Sequence, residues 1–281
     1  MTDLQGVEKR IKSVQTVRSV VSTMRALSAV QMRNAASVIE ALRSYERQLA
    51  TTLAWLRSPA LTPPPCRSVV TIALGTDQGL CGALPRRVVQ CALAHAREQG
   101  ERGAGLVAVG LRTAELLEAR GEATLAAFAA PSSLHGIDGL VESLAGLMLP
   151  ELERGGWDGI DVVYTRQQSS GSAQPQVVRV YPVAHQALAV PKEALPRLPP
   201  HTYAKEHDTV FRLLEEWTYV ALYQAAVEAH AAEQAARLRT TDAATHNADN
   251  KLDELKLAHN HLRQELVTQE LQELTSGFEA G

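Results

Sequence analysis

Residues 68–84 read SVVTIALGTDQGLCGAL, an apolar β-type run that leads into a loop with three glycines. A strand, such a loop and then a helix is the setting in which many α/β proteins hold a phosphate group. The loop lacks the Gly-Lys-Ser/Thr ending of a Walker loop, because Gly82 is followed by Ala83 and Leu84. Its glycine spacing also differs from the dinucleotide fingerprint. The stretch therefore indicates a strand-to-helix turn, with a nucleotide-binding loop as the alternative.

The chain around this loop, about residues 66–195, alternates short β-type runs with helical stretches. Such alternation predicts a Rossmann-like α/β body with a mainly parallel sheet and right-handed crossovers. The predicted helices cover residues 83–99, 111–120 and 137–154, and PSSLHG and QQSSGSAQPQ are predicted loops. The predicted strands are 68–74, 105–110, 123–128, 160–165 and 177–184.

The two ends of the chain have a different character, because residues 7–58 and 201–276 contain neither glycine nor proline. All 13 prolines lie between Pro59 and Pro200, and PKEALPRLPP (191–200) indicates a stiff exit from the body. Each end is therefore predicted to be one helix far longer than an ordinary globular helix. The predicted domains are a helix within 1–58, the body at 66–195 and a helix at 201–276.

A seven-residue repeat runs along the first helix, and a shorter one along the last, as in a coiled-coil seam. Neither helix can bury its own apolar stripe, so the two ends are expected to form a long antiparallel coiled coil. Residues 229–250 are small and polar, which predicts close approach with little apolar contact. The first line is Val7, Val14, Val21, Ser28, Ala35, Leu42, Leu49 and Leu56, with Val17, Met24, Val38 and Tyr45 as a second line. The seam of the last helix includes Leu252, Leu255, Leu262 and Leu266.

Composition excludes several classes of protein. The net charge of -3 gives no general attraction to nucleic acid, and the basic run at residues 7–47 has one aromatic residue and no stacking partners. That run more plausibly faces an acidic protein surface. Three cysteines without paired or metal-type spacing disfavour a disulfide scaffold or a zinc site. No apolar stretch approaches the roughly 20 residues that cross a bilayer.

No catalytic group of residues emerges from the sequence. Cys81 at a helix start could be a nucleophile, but a thiol between Leu80 and Gly82 without a base is more simply a small buried hydrophobe. The histidines at 201, 207, 246, 259 and 261 have no acids in a compact metal-type pattern. We therefore expect no catalytic residue, no cofactor and no metal.

Three stretches resemble the gamma subunit of rotary F-type ATP synthases. IKSVQTVRSVVSTMRALSAVQMRNA (11–35) is similar to the family's opening helix, and TDQGLCGAL (76–84) to its S/T-D-R-G-L-C-G-G segment. Residues 233–274 resemble the C-terminal signature, with EQAAR, N-x-x-R-Q and T-Q-E-L. The resemblance spans the chain in order and is strongest at both ends. The sequence departs from the family pattern at Gln78, Pro85 and Arg25, and its pI is low for the family. These departures would suit a divergent, second-copy type of rotary ATPase.

The resemblance implies a non-catalytic rotor shaft that couples proton or sodium flow to ATP synthesis or hydrolysis and regulates ATPase activity. Its implied partners are the alpha and beta ring subunits, epsilon and the membrane c-ring, at the cytoplasmic face of the bacterial inner membrane. The alternatives are a stand-alone nucleotide-binding α/β enzyme and a coiled-coil scaffold. The residues implied as partner contacts are Lys12, Arg18, Met24, Arg25, Asp77, Arg86, Arg263 and Gln264.

Overall fold

The computed structural model describes residues 2–56, 65–167, 173–183 and 205–279, without the side chains of 2, 3, 206, 207 and 273–279. The predicted exit at 191–200 lies outside the described residues. The helices are α1 (Thr2–Leu56), α2 (Leu84–Gln99), α3 (Leu111–Glu118), α4 (Gly136–Glu153) and α5 (Glu206–Glu279). The strands are β1 (Val69–Leu74), β2 (Gly103–Val109), β3 (Thr124–Phe128), β4 (Gly159–Gln167) and β5 (Ala173–Tyr181).

The predicted α/β body and the long terminal helices are confirmed. Helix α1 has 55 residues and α5 has 74, because no glycine or proline interrupts the greater part of either segment. No helix in the described part of the chain has an apolar stretch of the length needed to cross a lipid bilayer.

The five strands form one sheet in the order β3-β2-β1-β4-β5. The first four strands are parallel, and β5 pairs antiparallel with β4. The predicted start of the last strand, residue 177, is wrong, because β5 begins at Ala173 inside the predicted loop and contains Pro175. An edge strand tolerates proline, since the missing N–H costs no ladder bond on its outer side.

The chain divides into two compact units, Met1–Ala29 with Arg237–Gly281 (unit 1) and Val30–Ala236 (unit 2). Unit 2 contains the sheet, and all six residues of β1 are buried at its centre. One face of the sheet packs against α4 and the unit 2 parts of α1 and α5. The other face packs against α2 and α3.

Helix α5 contributes to both layers of unit 2. Ala225, Ala226 and Val227 belong to the first cluster, and Ala232 and Ala236 to the second. The expectation that the alanine-rich middle of the last helix offers little apolar contact is therefore wrong for residues 229–236. Small side chains let the helix axis come close to the sheet, so this segment is core.

Candidate functional site

The glycine-rich loop after β1 is a close-packed turn. Leu80 has φ 63° and Gly82 φ 59°, so the chain turns sharply before α2 begins at Leu84. A Cβ on Gly75 would come within 1.8 Å of the Thr113 hydroxyl oxygen, which explains the glycine there. Cys81 is 4% exposed, and its thiol contacts the carbonyl oxygens of Gln78 and Gly79. The prediction of a strand-to-helix turn with a buried cysteine is confirmed.

Asp77 in this loop has a role that the sequence did not reveal. Its Oδ1 accepts hydrogen bonds from the backbone N–H of Leu111 at 2.7 Å and of Ala130 at 2.9 Å. Leu111 opens α3 after β2, and Ala130 follows β3. One carboxylate thus fastens the loops after three neighbouring strands.

In unit 1 buried and half-buried residues recur at regular intervals along both helices, every seven residues in α1 and at alternating three- and four-residue steps in α5. Each of the eight members of the first predicted line of α1 is buried or half-buried. In α5 the alternating spacing gives a half-buried or buried series, namely Thr241, Thr245, Ala248, Leu252, Leu255, His259, Leu262 and Leu266. The seven predicted seam residues, which lie in both units, are all buried or half-buried.

The second predicted line of α1 is wrong at Val17 and Tyr45. Val17 is 57% exposed and Tyr45 41% exposed, while Met24 and Val38 are half-buried. The residues four positions after the first line are buried or half-buried except at two arginines, which are exposed. Val17 misled the prediction because it is apolar and yet exposed, whereas the guanidinium groups of Arg18 and Arg25 reach across to α5. This line is Ile11, Arg18, Arg25, Met32, Ile39, Glu46 and Leu53.

Among the described residues of unit 1, ion pairs and a histidine–carboxylate contact join α1 to α5. Arg18 pairs with Asp249, Arg25 with Asp242 at 2.7 Å, and Glu8 with His259 at 3.3 Å. Each step forward along α1 matches an equal step backward along α5, so the helices run in opposite directions there. The two arginines were predicted to contact partner subunits, but the structure gives both a partner within the chain.

The other predicted contact residues differ in how exposed their side chains are. Lys12, Arg86, Arg263 and Gln264 are exposed, and Met24 is half-buried. Their side chains are therefore accessible on the surface of the isolated chain, apart from the inner part of Met24. Asp77 is the exception, because its carboxylate is used inside the body.

Glu228 in α5 forms a polar junction in unit 2 that sequence reasoning missed. Its side chain is 2% exposed and pairs with Arg43 of α1 at 3.0 Å and Arg166 of β4 at 3.3 Å. It also accepts a hydrogen bond from the Tyr164 hydroxyl at 3.0 Å. Burial and the nearby Glu228 carboxylate raise the pKa of Tyr164, so this hydroxyl stays protonated and donates. The junction links both terminal helices to the sheet.

A second buried carboxylate lies on the opposite side of β4. Asp161 is 2% exposed and binds Arg179 of β5 through both of its oxygens, and it contacts His95 of α2 at 2.8 Å. Arg179 also contacts the Cys66 thiol at 3.1 Å. Burial raises the pKa of that thiol, which keeps it protonated near neutral pH. This cluster ties the antiparallel edge strand to the parallel sheet.

Comparison with known proteins extends the resemblance to the full length. A family model described as ATP synthase matches residues 3–280. The ATP synthase gamma chain of Desulforudis audaxviator is 29% identical over 100% of this chain and 99% of its own length. The ATP synthase gamma chain of Pelotomaculum thermopropionicum is 26% identical over 100% of this chain and 99% of its own length.

Solved structures share the fold at low identity. A chain of the Euglena gracilis mitochondrial ATP synthase (OSCP/F1/c-ring) matches with a TM-score of 0.63 at 13% identity, covering 99% of this chain and 94% of that chain. A chain of the Tetrahymena thermophila mitochondrial ATP synthase (central stalk/c-ring) matches with a TM-score of 0.58 at 16% identity, covering 80% and 99%. The chain therefore belongs to the ATP synthase gamma-chain family, the central rotor stalk of the F-type enzyme.

Proposed function

We propose that this chain is the rotating shaft that couples proton or sodium flow to ATP synthesis or hydrolysis, and that it contributes shape rather than chemistry. The observation that carries the proposal is the family match over residues 3–280, together with two terminal helices of 55 and 74 residues. A shaft acts on its surroundings because each orientation makes different contacts and so favours a different state of each neighbouring subunit.

The helix pair of unit 1 is proposed to be an antiparallel coiled coil inside the ring of alpha and beta subunits. The support is the alternating three- and four-residue spacing of buried and half-buried residues in α5 and the seven-residue spacing of Val7, Val14, Val21 and Ser28 in α1. The opposite order of the side-chain contacts between α1 and α5 supports the antiparallel direction. Alternating spacing of this kind is what keeps two helices in contact over many turns.

Partner contacts are proposed for the exposed residues Lys12, Arg86, Arg263 and Gln264, with Met24 beside them. Lys12 would attract acidic segments of the beta subunits, and salt would weaken that attraction. The proposed partners are the alpha and beta ring, the epsilon subunit and the c-ring. The complex would lie at the cytoplasmic face of the bacterial inner membrane, with this chain peripheral to it.

The nucleotide-binding alternative is disfavoured by the loop after β1. Asp77 already occupies the N–H group of Leu111 at the start of α3, and the Thr113 hydroxyl fills the space beside Gly75. The Asp77 carboxylate would repel a phosphate, and the loop lacks the lysine and the hydroxyl group of a Walker loop. Titration calorimetry with ATP and with NAD tests this alternative directly, and tight binding of either nucleotide by the purified chain would favour it.

Reconstitution tests the shaft itself. Alpha and beta subunits from the same source are assembled with and without this chain, and ATP hydrolysis is measured. We expect stable assembly and hydrolysis to depend on the chain. Equal assembly and hydrolysis without it would overturn the proposal. A scaffold unrelated to ATP synthesis would leave hydrolysis unchanged and would not co-purify with the ring.

A further inference from the structure

Leu80, in the loop between β1 and α2, has a backbone conformation that a leucine rarely adopts. Its φ is 63°, in the left-handed region, where the Cβ of a bulky residue crowds the following carbonyl oxygen. In the part of the chain that the structure describes, every other residue with a positive φ is a glycine. Glycine takes this conformation without strain, as Gly82 does at φ 59° two residues later. The loop therefore bears a backbone strain that a single change of residue would remove.

The side chain of Leu80 does not compensate for this strain by packing within the chain. It is 41% exposed, whereas its neighbours Cys81 and Leu84 are buried in the apolar cluster on the α2 side of the sheet. Leu80 belongs to none of the apolar clusters that the described residues form. A single exposed leucine is common on protein surfaces, but one held on a strained backbone needs a further reason. Such backbone outliers concentrate at functional sites.

The loop holds this leucine in a fixed position. The Cys81 thiol contacts the carbonyl oxygens of Gln78 and Gly79, each at 3.2 Å. The Asp77 carboxylate ties the same loop to the chain segments that follow β2 and β3. An apolar side chain on a fixed loop loses little conformational freedom when a partner covers it, which favours binding.

Two arginines beside the loop are also placed at a cost to the isolated chain. Arg86 and Arg87 lie in the first turn of α2, which contains no acidic residue. Positive charge at this end of a helix opposes the helix dipole. Both side chains are exposed, and among the described residues neither forms an ion pair. Their position becomes favourable if this end of α2 faces carboxylates of another protein.

We propose that Leu80 is an anchor residue for a partner subunit, and that it enters an apolar recess whose rim carries carboxylates facing Arg86 and Arg87. The inference rests on the proposed function, in which the partner is the ring of alpha and beta subunits. Burial of a leucine side chain in such a recess favours association. One contact then accounts for the strained backbone, the exposed leucine and the two arginines.

Two substitutions separate the backbone of Leu80 from its side chain. Leu80→Ala removes the anchor but keeps a Cβ on the strained backbone, whereas Leu80→Gly removes both the anchor and the strain. In the isolated chain, Leu80→Gly should melt about 2–4 °C above Leu80→Ala. Each full-length variant is then labelled and assembled with alpha and beta subunits from the same source, and its release is followed after addition of excess unlabelled chain. We expect both variants to leave the ring about tenfold faster than the unchanged chain.

The matched control is Leu149→Ala. Leu149 is 56% exposed on α4, and its replacement should leave the release rate unchanged. Arg86→Glu/Arg87→Glu should speed release as the Leu80 variants do, and should also weaken the dependence of the release rate on salt.

Unchanged release of both Leu80 variants would overturn the proposal. Faster release of Leu80→Gly alone would also overturn it, since the effect would then come from the backbone. Loss of the epsilon subunit with the ring retained would assign Leu80 to a different partner and contradict the proposal as well. If the unchanged chain does not assemble with the ring, the proposed function itself fails, and the anchor with it.

Discussion

Replacing Glu228 by glutamine probes the junction between both terminal helices and the sheet. The change keeps the size of the side chain but removes its charge. It converts two charge-assisted contacts, from Arg43 and Arg166, into neutral ones. It also introduces an NH2 group among neighbours that are all donors, since Tyr164 donates as well.

The magnitude follows from the exposure of each group. A hydrogen bond to a charged group contributes about 1.5–3 kcal/mol and a neutral one about 0.5–1.5 kcal/mol. The two guanidinium groups are 47% and 41% exposed and regain hydration, and a neutral amide costs less to bury than a carboxylate. Tyr164 keeps a second partner, the Gln176 amide at 2.6 Å. We therefore expect Glu228→Gln to lower the free energy of unfolding by about 1–3 kcal/mol.

Urea unfolding followed by tryptophan fluorescence measures this loss, because Trp55, Trp157 and Trp217 all lie in unit 2. The matched control is Glu216→Gln. Glu216 is an exposed residue of the same helix and accepts one hydrogen bond from Tyr45 at 3.0 Å. Its replacement should cost less than about 0.5 kcal/mol. An equal loss in the two variants, or a loss below about 0.5 kcal/mol for Glu228→Gln, would refute the role given to the junction.

Three further substitutions test other parts of the chain. Leu255→Asp should lower the free energy of unfolding by about 2–4 kcal/mol, since it buries an unpaired charge in the seam. Leu257→Asp, at a site that is 72% exposed, should lower it by less than about 0.5 kcal/mol. Unfolding followed by circular dichroism compares the two variants. Gly110→Ala should lower the free energy of unfolding by about 3 kcal/mol or more, because φ at this position is 101° and a Cβ would lie 2.6 Å from the Thr76 backbone. Gly79→Ala places its Cβ in open space and should leave the melting temperature nearly unchanged. Burial and then the Glu228 carboxylate raise the pKa of Glu46, so the unfolded chain binds fewer protons than the native chain just above pH 4.5, and stability falls as pH rises through that window. Glu46→Gln should therefore remove this decline and stabilise the chain at pH 7, and an unchanged pH profile of the urea midpoint would contradict the assignment.

Element type was readable from the sequence because all 13 prolines and 15 of the 18 glycines lie between residues 59 and 200, so neither breaks the greater part of the two ends. The first seam line was readable for a similar reason, since its apolar residues recur every seven positions. The second line was not, because Val17 and Tyr45 are apolar or aromatic and yet exposed, while the exposed arginines Arg18 and Arg25 make the contacts with α5. The aspartates that pair with these arginines lie on α5, so the sequence pattern of α1 alone does not reveal the contacts.

The internal role of Asp77 and the junction at Glu228 were also beyond the sequence. Asp77 accepts from residues 34 and 53 positions away. Glu228 meets partners 185 and 64 positions away. Such contacts arise from the order of the strands and the return of α5, so a carboxylate near a loop or within an alanine-rich helix looks like a solvent-exposed group until the fold is known.

The burial of α5 residues 225–236 in both layers of the body has a consequence for biosynthesis. The sheet strands are complete by Tyr181, yet the alanines that close both apolar clusters are translated more than 40 residues later. While residues 66–183 emerge from the ribosome, part of each sheet face lacks its cover and exposes valine and isoleucine side chains. The body can finish folding only after α5 has been made as far as Ala236, and until then the nascent chain carries apolar surface that favours aggregation.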